Sequence, residues 1–161
     1  MSTARYDDPP RPHSHEPNPD PPSADPTFVL FLPTWTPIQV TVAELRTLPE
    51  TTVSNCYIVS TGHGTSGPYT FTGVTVLDLL RAYLPAAARW SQVEVISADG
   101  FGTRLQAEEL WQPDPAGPPL LSYTLDGRPM TRTQGLVRLI VPSERDDALR
   151  QVKWVGRVSV S

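Results

Sequence analysis

Gly135-Leu-Val-Arg-Leu-Ile-Val-Pro-Ser143 and, after a short charged stretch, Val152-Lys-Trp-Val-Gly-Arg-Val-Ser-Val160 decide the class of this fold. Both runs are apolar and rich in valine, and Pro142-Ser-Glu-Arg145 interrupts them, so they predict two strands flanking a polar turn. From Arg128 to Arg157 the chain carries seven Arg or Lys against Glu144, Asp146 and Asp147, within a protein of net charge −4. Strand ends that gather cations around a polar turn can hold an anion, often a phosphate. Arginines spread over a solvated face need no ligand, and charge alone leaves both readings open.

Upstream of that pair, from residue 27, strand patterns alternate with short helical ones. Phe28 to Leu32 and Ile38 to Thr41 predict strands separated by Pro33 and Pro37. Thr41-Val-Ala-Glu44 is a capping box, which predicts a helix from Val42 to Leu48 closed by Pro49. Thr51 to Ser60 alternates as a strand with Cys56 in its middle, and Gly62 to Pro68 predicts a loop. Thr75 to Leu84 has helical spacing and ends before Pro85. Gln92 to Ser97, Gly102 to Gln106 and Leu120 to Leu125 predict strands, with a helical turn at Glu108 to Trp111. Many short strands, few helices and no βαβ repeat predict an α+β or mainly-β domain, with mixed sheets and helical inserts.

Residues 1–26 differ from all of this. They hold eight prolines with Asp and His between them and almost nothing apolar, so the expectation is a disordered proline-rich tail ahead of one folded domain, 27–161. His13 and His15 make at best a weak metal site there. The tail has no apolar h-region of a secretory signal, and no run approaches the length of a membrane span. With Cys56 alone, neither an intrachain disulfide nor a four-thiolate zinc site can form. The expectation is a cytoplasmic protein. The tail contributes −3, residues 27–127 contribute −5 and residues 128–161 contribute +4, a basic face too short for general nucleic-acid binding.

Enzyme templates mostly fail on this chain. Gly62-His-Gly-Thr-Ser-Gly67 matches neither the P-loop nor the dinucleotide pattern. His63 is the single histidine of the folded part and could act as a base near Ser60, Thr61 or Ser66, or simply be a polar loop residue. Glu108 and Glu109 are adjacent and do not form an acid–base pair. Cys56 reads as a small core residue or, given polar neighbours Ser54, Asn55 and Tyr57, as a thiolate facing a cleft.

The order of the segments carries a resemblance. Thr41-Val-Ala-Glu-Leu-Arg-Thr-Leu-Pro49, Phe71-Thr-Gly-Val-Thr-Val-Leu-Asp-Leu-Leu80, Val95-Ile-Ser-Ala-Asp-Gly-Phe101, Leu121-Ser-Tyr-Thr-Leu-Asp-Gly-Arg-Pro-Met130, Gly135-Leu-Val-Arg-Leu-Ile-Val-Pro142 and Lys153-Trp-Val155 follow one another. This ordered set, over roughly residues 38–160, resembles the molybdopterin-binding domain of the sulfite oxidase family. The resemblance implies a mixed α+β fold holding a pterin dithiolene cofactor (the molybdenum cofactor) with a terminal phosphate. It implies oxygen-atom or electron transfer at molybdenum in those members that are enzymes. By position it makes Arg138, Ser143, Arg145 and Lys153 contacts to the phosphate or pterin, and Cys56 the metal ligand, a soft thiolate suited to molybdenum. His63, Tyr57 or Tyr69 would face the substrate. The residues after Cys56 lack the arginine-bearing pattern of sulfite-oxidising members, and the longer N-terminal portion of the catalytic domain is replaced by the proline-rich tail. The alternative is a non-catalytic module using the same cleft for a pterin, another anion or a protein partner.

Overall fold

The computed structural model describes residues 24–33, 36–60, 64–144 and 150–161, with the backbone alone at Val59 and Ser60. The expected tail, apart from its last three residues, lies outside the described residues, as do His63 and Arg145.

Two sheets share the chain. In the first, β1 (Phe28–Phe31), β2 (Ile38–Val40), β5 (Gln92–Ser97), β6 (Gly102–Gln106) and β10 (Val155–Val160) lie in the order β2-β1-β10-β5-β6. The β1–β10 pairing is parallel, with Val29 opposite Arg157, and the sheet's other pairings are antiparallel, so it is mixed as expected. The second is antiparallel. It runs β3 (Thr51–Ser60), β4 (Gly64–Thr75), β7 (Leu120–Leu125) and β8 (Arg128–Pro129), with β9 (Arg138–Ile140) also paired to β7.

Three short helices punctuate the described residues: α1 (Val42–Leu45), α2 (Val76–Tyr83) and α3 (Ala107–Trp111). The capping box at α1 is formed, with the Glu44 amide donating to Thr41 Oγ1 at 3.1 Å and the Thr41 amide to Glu44 Oε1 at 2.9 Å. Its helix stops at Leu45 rather than reaching Leu48, because the Thr47 and Leu48 amides bond three residues back, to the Glu44 and Leu45 carbonyls, instead of four. Thr75 caps α2 by accepting from the Asp78 amide at 3.0 Å.

A larger departure lies at the start of β4. Residues 64–68, read as loop, are the first part of β4, and Ile58, Val59 and Ser60 pair with Ser66, Thr65 and Gly64. The glycines suggested a loop, but the ladder to β3 supplies partners for the backbone that a loop would leave to water.

Alternation divides the second sheet into two faces. Val74, Leu121, Tyr123 and Leu139 enter the main core with Phe28, Leu30, Val93, Val95 and Val158 of the first sheet. Val53, Cys56, Phe71, Leu120 and Ile140 form a smaller apolar layer with Met130 on the other face. That second face is where the candidate residues gather.

Candidate functional site

The two strand runs that opened the sequence reading meet directly. The Leu139 amide donates to the Val152 carbonyl at 2.8 Å, and the Val152 amide returns the bond to the Leu139 carbonyl at 3.2 Å. Both side chains enter the main core. Alternation therefore turns Arg138 and Ile140 to the opposite face, with Lys153 and Gln151 on the residues beside them.

Four side chains define this patch. Arg138 is buried to 9% exposure and its Nη1 donates to the Gln134 carbonyl at 3.5 Å. Lys153 holds its ammonium 5.1 Å from the centre of the Trp154 ring, a cation–π distance. The Lys153 stem crosses Gly135, where a Cβ would stand only 3.1 Å from its Cγ and 3.2 Å from its Cβ. Trp154 is fixed in turn, since its indole Nε1 donates to the Arg132 carbonyl at 2.7 Å and its amide to the Gly135 carbonyl at 2.9 Å. Trp154 adopts φ 49°, so the chain bends sharply between Lys153 and β10. Gln151 is buried, and its Oε1 accepts no hydrogen bond among the described residues. A buried acceptor left without a donor costs about 1–3 kcal/mol, which marks the position as one where a donor belongs.

Ser143 follows Pro142 in the turn after β9, half-buried. Pro142 packs against Gly117, where a Cβ would meet its Cγ at 3.1 Å and Val53 Cγ1 at 3.3 Å. The turn thus leans toward the β3 end of the apolar layer.

Cys56 sits on β3 opposite Tyr69, where the register shifts on both sides and Asn55 takes φ 57°. Its thiol is 7% exposed within the apolar layer, 3.9 Å from the Ser54 carbonyl and 4.0 Å from that of Val53. Burial pushes the thiol above its ordinary value of 9.0. The next residue, Tyr57, is 52% exposed, so the two consecutive side chains do not share one environment. Tyr69 stacks edge-on against Phe71 at 5.9 Å.

Three other cations of the basic segment lie elsewhere. Arg150 pairs with Glu109 and donates to the Arg104 carbonyl at 3.2 Å. Arg157 lies 5.9 Å from the ring of Phe31 on the first sheet, and Arg128 is exposed at the β7–β8 turn. Of the expected anion contacts, the described residues bring Arg138 and Lys153 together, with Ser143 beyond the end of β9. Gln151 was not singled out from sequence, because no motif surrounds it and only its burial reveals it. Among the described residues no group of three or more His, Cys, Asp or Glu could hold a metal ion, and no helix is long and apolar enough to cross a membrane.

The family described as oxidoreductase molybdopterin binding domain matches residues 21–161. The chain belongs to this family. No curated protein sequence matches it. Among solved structures it is similar to the sulfane dehydrogenase SoxCD from Paracoccus pantotrophus, at 18% identity and a TM-score of 0.62. That likeness covers 83% of this chain and 37% of the other, so the present chain spans well under half of that protein's length. The shared fold agrees with the α+β architecture of mixed sheets and short helices expected from sequence.

Proposed function

We propose that this molybdopterin-binding domain holds a phosphate-bearing pterin on the face of the second sheet that carries Arg138, Gln151 and Lys153. The observation that carries the reading is the Leu139–Val152 pairing, which flanks two cations with a buried amide oxygen that has no hydrogen-bond partner among the described residues. The donor types suit such a ligand. Arg138 and Lys153 supply charge-assisted donors for a phosphate, Arg138 from a rigid strand and Lys153 from a bend locked by Trp154. Gln151 Oε1 offers an acceptor to an N–H of the pterin ring. Ser143 adds a hydroxyl from the neighbouring turn, and Arg145, outside the described residues, follows it in sequence.

Oxygen-atom or electron transfer at molybdenum is the chemistry such a group supplies when bound. On this reading Cys56 is the soft ligand on the same sheet face, three strands away from β9 across β4 and β7. Metal ligation needs the thiolate, and the burial that raises the Cys56 thiol opposes it until a cation arrives. His63 and Tyr57 are the proposed substrate-facing residues, and Tyr57 is open to solvent.

The test is the molybdenum and oxidised-pterin content of the chain purified from a host that makes the cofactor. Near-stoichiometric pterin, lowered several-fold in Lys153→Ala and Gln151→Leu at unchanged melting temperature, supports the site. A folded sample with no pterin, or variants that keep it, refutes it. The burial of Cys56 in an apolar layer favours a second reading, a pterin- or anion-binding module without a protein–metal bond. Cys56→Ser separates the two, since it removes molybdenum and spares pterin only if the sulfur is a ligand.

A further inference from the structure

The turn that joins β5 to β6 lies against the bend that carries Lys153. There the Ala98 amide donates to the Trp154 carbonyl at 2.8 Å, while the Trp154 amide donates to the Gly135 carbonyl at 2.9 Å. Arg138 Nη1 reaches the Gln134 carbonyl beside Gly135, so Arg138 and the β5–β6 turn flank the bend on its two sides. Asp99 follows Ala98 in that turn, and turn chemistry accounts for half of its carboxylate. Its Oδ1 accepts from the Phe101 amide at 3.2 Å, its own amide donates to Ser97 Oγ at 3.2 Å, and Gly100 takes the φ of 97° that closes the turn. An asparagine would do as much without a charge. The other oxygen, Oδ2, is buried and has no hydrogen-bond partner among the described residues. A carboxylate oxygen kept from water without a donor is more costly than a neutral acceptor in the same state, and marks a place where a donor arrives. Gln151 Oε1, on the Arg138 side, is an acceptor in that state. A phosphate satisfies neither, since it presents acceptors and repels a carboxylate.

We propose that Asp99 Oδ2 accepts the N–H groups of the ligand's amino-pyrimidinone ring, at the end of the pterin opposite its phosphate. This assignment rests on the proposed pterin site and gives the bound ligand a direction. Its phosphate goes to Arg138 and Lys153, and its ring amine to the β5–β6 turn. The exocyclic amine and the neighbouring ring N–H of a pterin point the same way, and a carboxylate takes such a pair of donors as it takes a guanidinium. Oδ1 keeps a lone pair beside the Phe101 amide, so both oxygens of Asp99 contribute. Gln151 Oε1 then meets another N–H of the ligand. Cations at one end and a carboxylate at the other also disfavour the reversed ligand, which would set phosphate against Asp99.

The experiment compares the full chain with Asp99→Asn. The Phe101 amide holds the new amide oxygen where Oδ1 stood, so the NH₂ takes the place of Oδ2 and meets the ligand's N–H groups donor to donor. Purified from a host that makes the cofactor, the variant should carry roughly tenfold less oxidised pterin than the wild type. Purified from a host without the cofactor, it should melt no lower than the wild type, because the substitution removes a buried charge that has no partner. Pterin content equal to the wild type overturns the assignment and leaves the pterin site itself standing. A cofactor-free variant that melts several degrees lower also overturns it, since the carboxylate then serves the turn. A wild-type chain that is folded and holds no pterin overturns the assignment and the site together.

Discussion

Gly73 is the position at which a single methyl group should do most harm. It lies on β4 opposite Ser122 of β7, where the register shifts, and Ser122 is in turn opposite Arg138 of β9. A Cβ at Gly73 would stand 2.0 Å from the Leu121 carbonyl oxygen, 2.6 Å from Ser122 Cα and 2.7 Å from the Leu121 carbonyl carbon. Ordinary contact begins near 3.4 Å, so β4 and β7 must separate by more than an ångström. All three atoms are backbone, and Ser122 Oγ braces them, its one proton within reach of the Thr72 carbonyl at 2.9 Å and the Thr124 carbonyl at 2.8 Å. Overpacking of a core costs about 1–3 kcal/mol where side chains can yield. Here none can, and Gly73→Ala should cost about 3 kcal/mol or more, roughly 10 °C in Tm for a domain of this size. Urea unfolding of the variant beside Gly156→Ala gives the measurement. Gly156 faces Ala98 with its nearest atoms at 3.3 Å, which should lose well under half as much. A loss below about 1 kcal/mol at Gly73 would refute the β4–β7 register, and with it the placement of Arg138.

Other expectations concern the thiol, the indole and an ion pair. Burial raises Cys56 above 9.0 and Tyr123 above 10.0, Glu50 adding to the rise at Tyr123 and Arg46 opposing it. A raised folded-state value means that stability is full below the unfolded value and falls as pH climbs through the folded one. Stability should therefore be level through neutral pH and decline above about pH 9, with the first part of the decline absent in Cys56→Ala, as read by unfolding across a pH series. Trp154→Phe removes the bond to the Arg132 carbonyl and should cost about 1–2 kcal/mol, with faster amide exchange at Gly135 as the local signature. Arg150→Gln should cost under about 1 kcal/mol despite its contacts to Glu109 and Arg104, because its side chain and that of Glu109 are each about a third exposed.

Where local chemistry decides structure, the residues reveal it. Gln92–Ser97, Gly102–Gln106 and Leu120–Leu125 lie between turn residues and alternate apolar with polar side chains over most of their length, and all three strands have the expected bounds. Thr75 and Leu84 bracket α2 as its capping chemistry dictates. Where a distant partner decides, the residues fall short. Gly64 to Pro68 becomes strand only because β3 lies alongside, and β9 contracts to Arg138–Ile140 because Gly135 and Leu136 turn with positive φ. At the proposed site, Arg138 and Lys153 are accessible through charge and resemblance. Gln151 is not, since an unremarkable glutamine becomes informative only once Leu139 and Val152 pair and bury it. Nor does sequence show that Arg150 and Arg157 leave the cationic cluster for Glu109 and Phe31.

The parallel seam between β1 and β10 has a consequence for synthesis. β1 is among the first described elements to leave the ribosome and β10 the last, yet β10 separates the β1–β2 hairpin from β5 and β6. Until residues 155–160 emerge, the nascent first sheet exists as two fragments, each with an open hydrogen-bonding edge and part of the apolar face uncovered. The second sheet needs nothing beyond Ile140 for its ladder and can assemble earlier. Translation should therefore yield a half-finished domain whose vulnerable moment is its last, and a stall or truncation before Val155 should produce an aggregating chain.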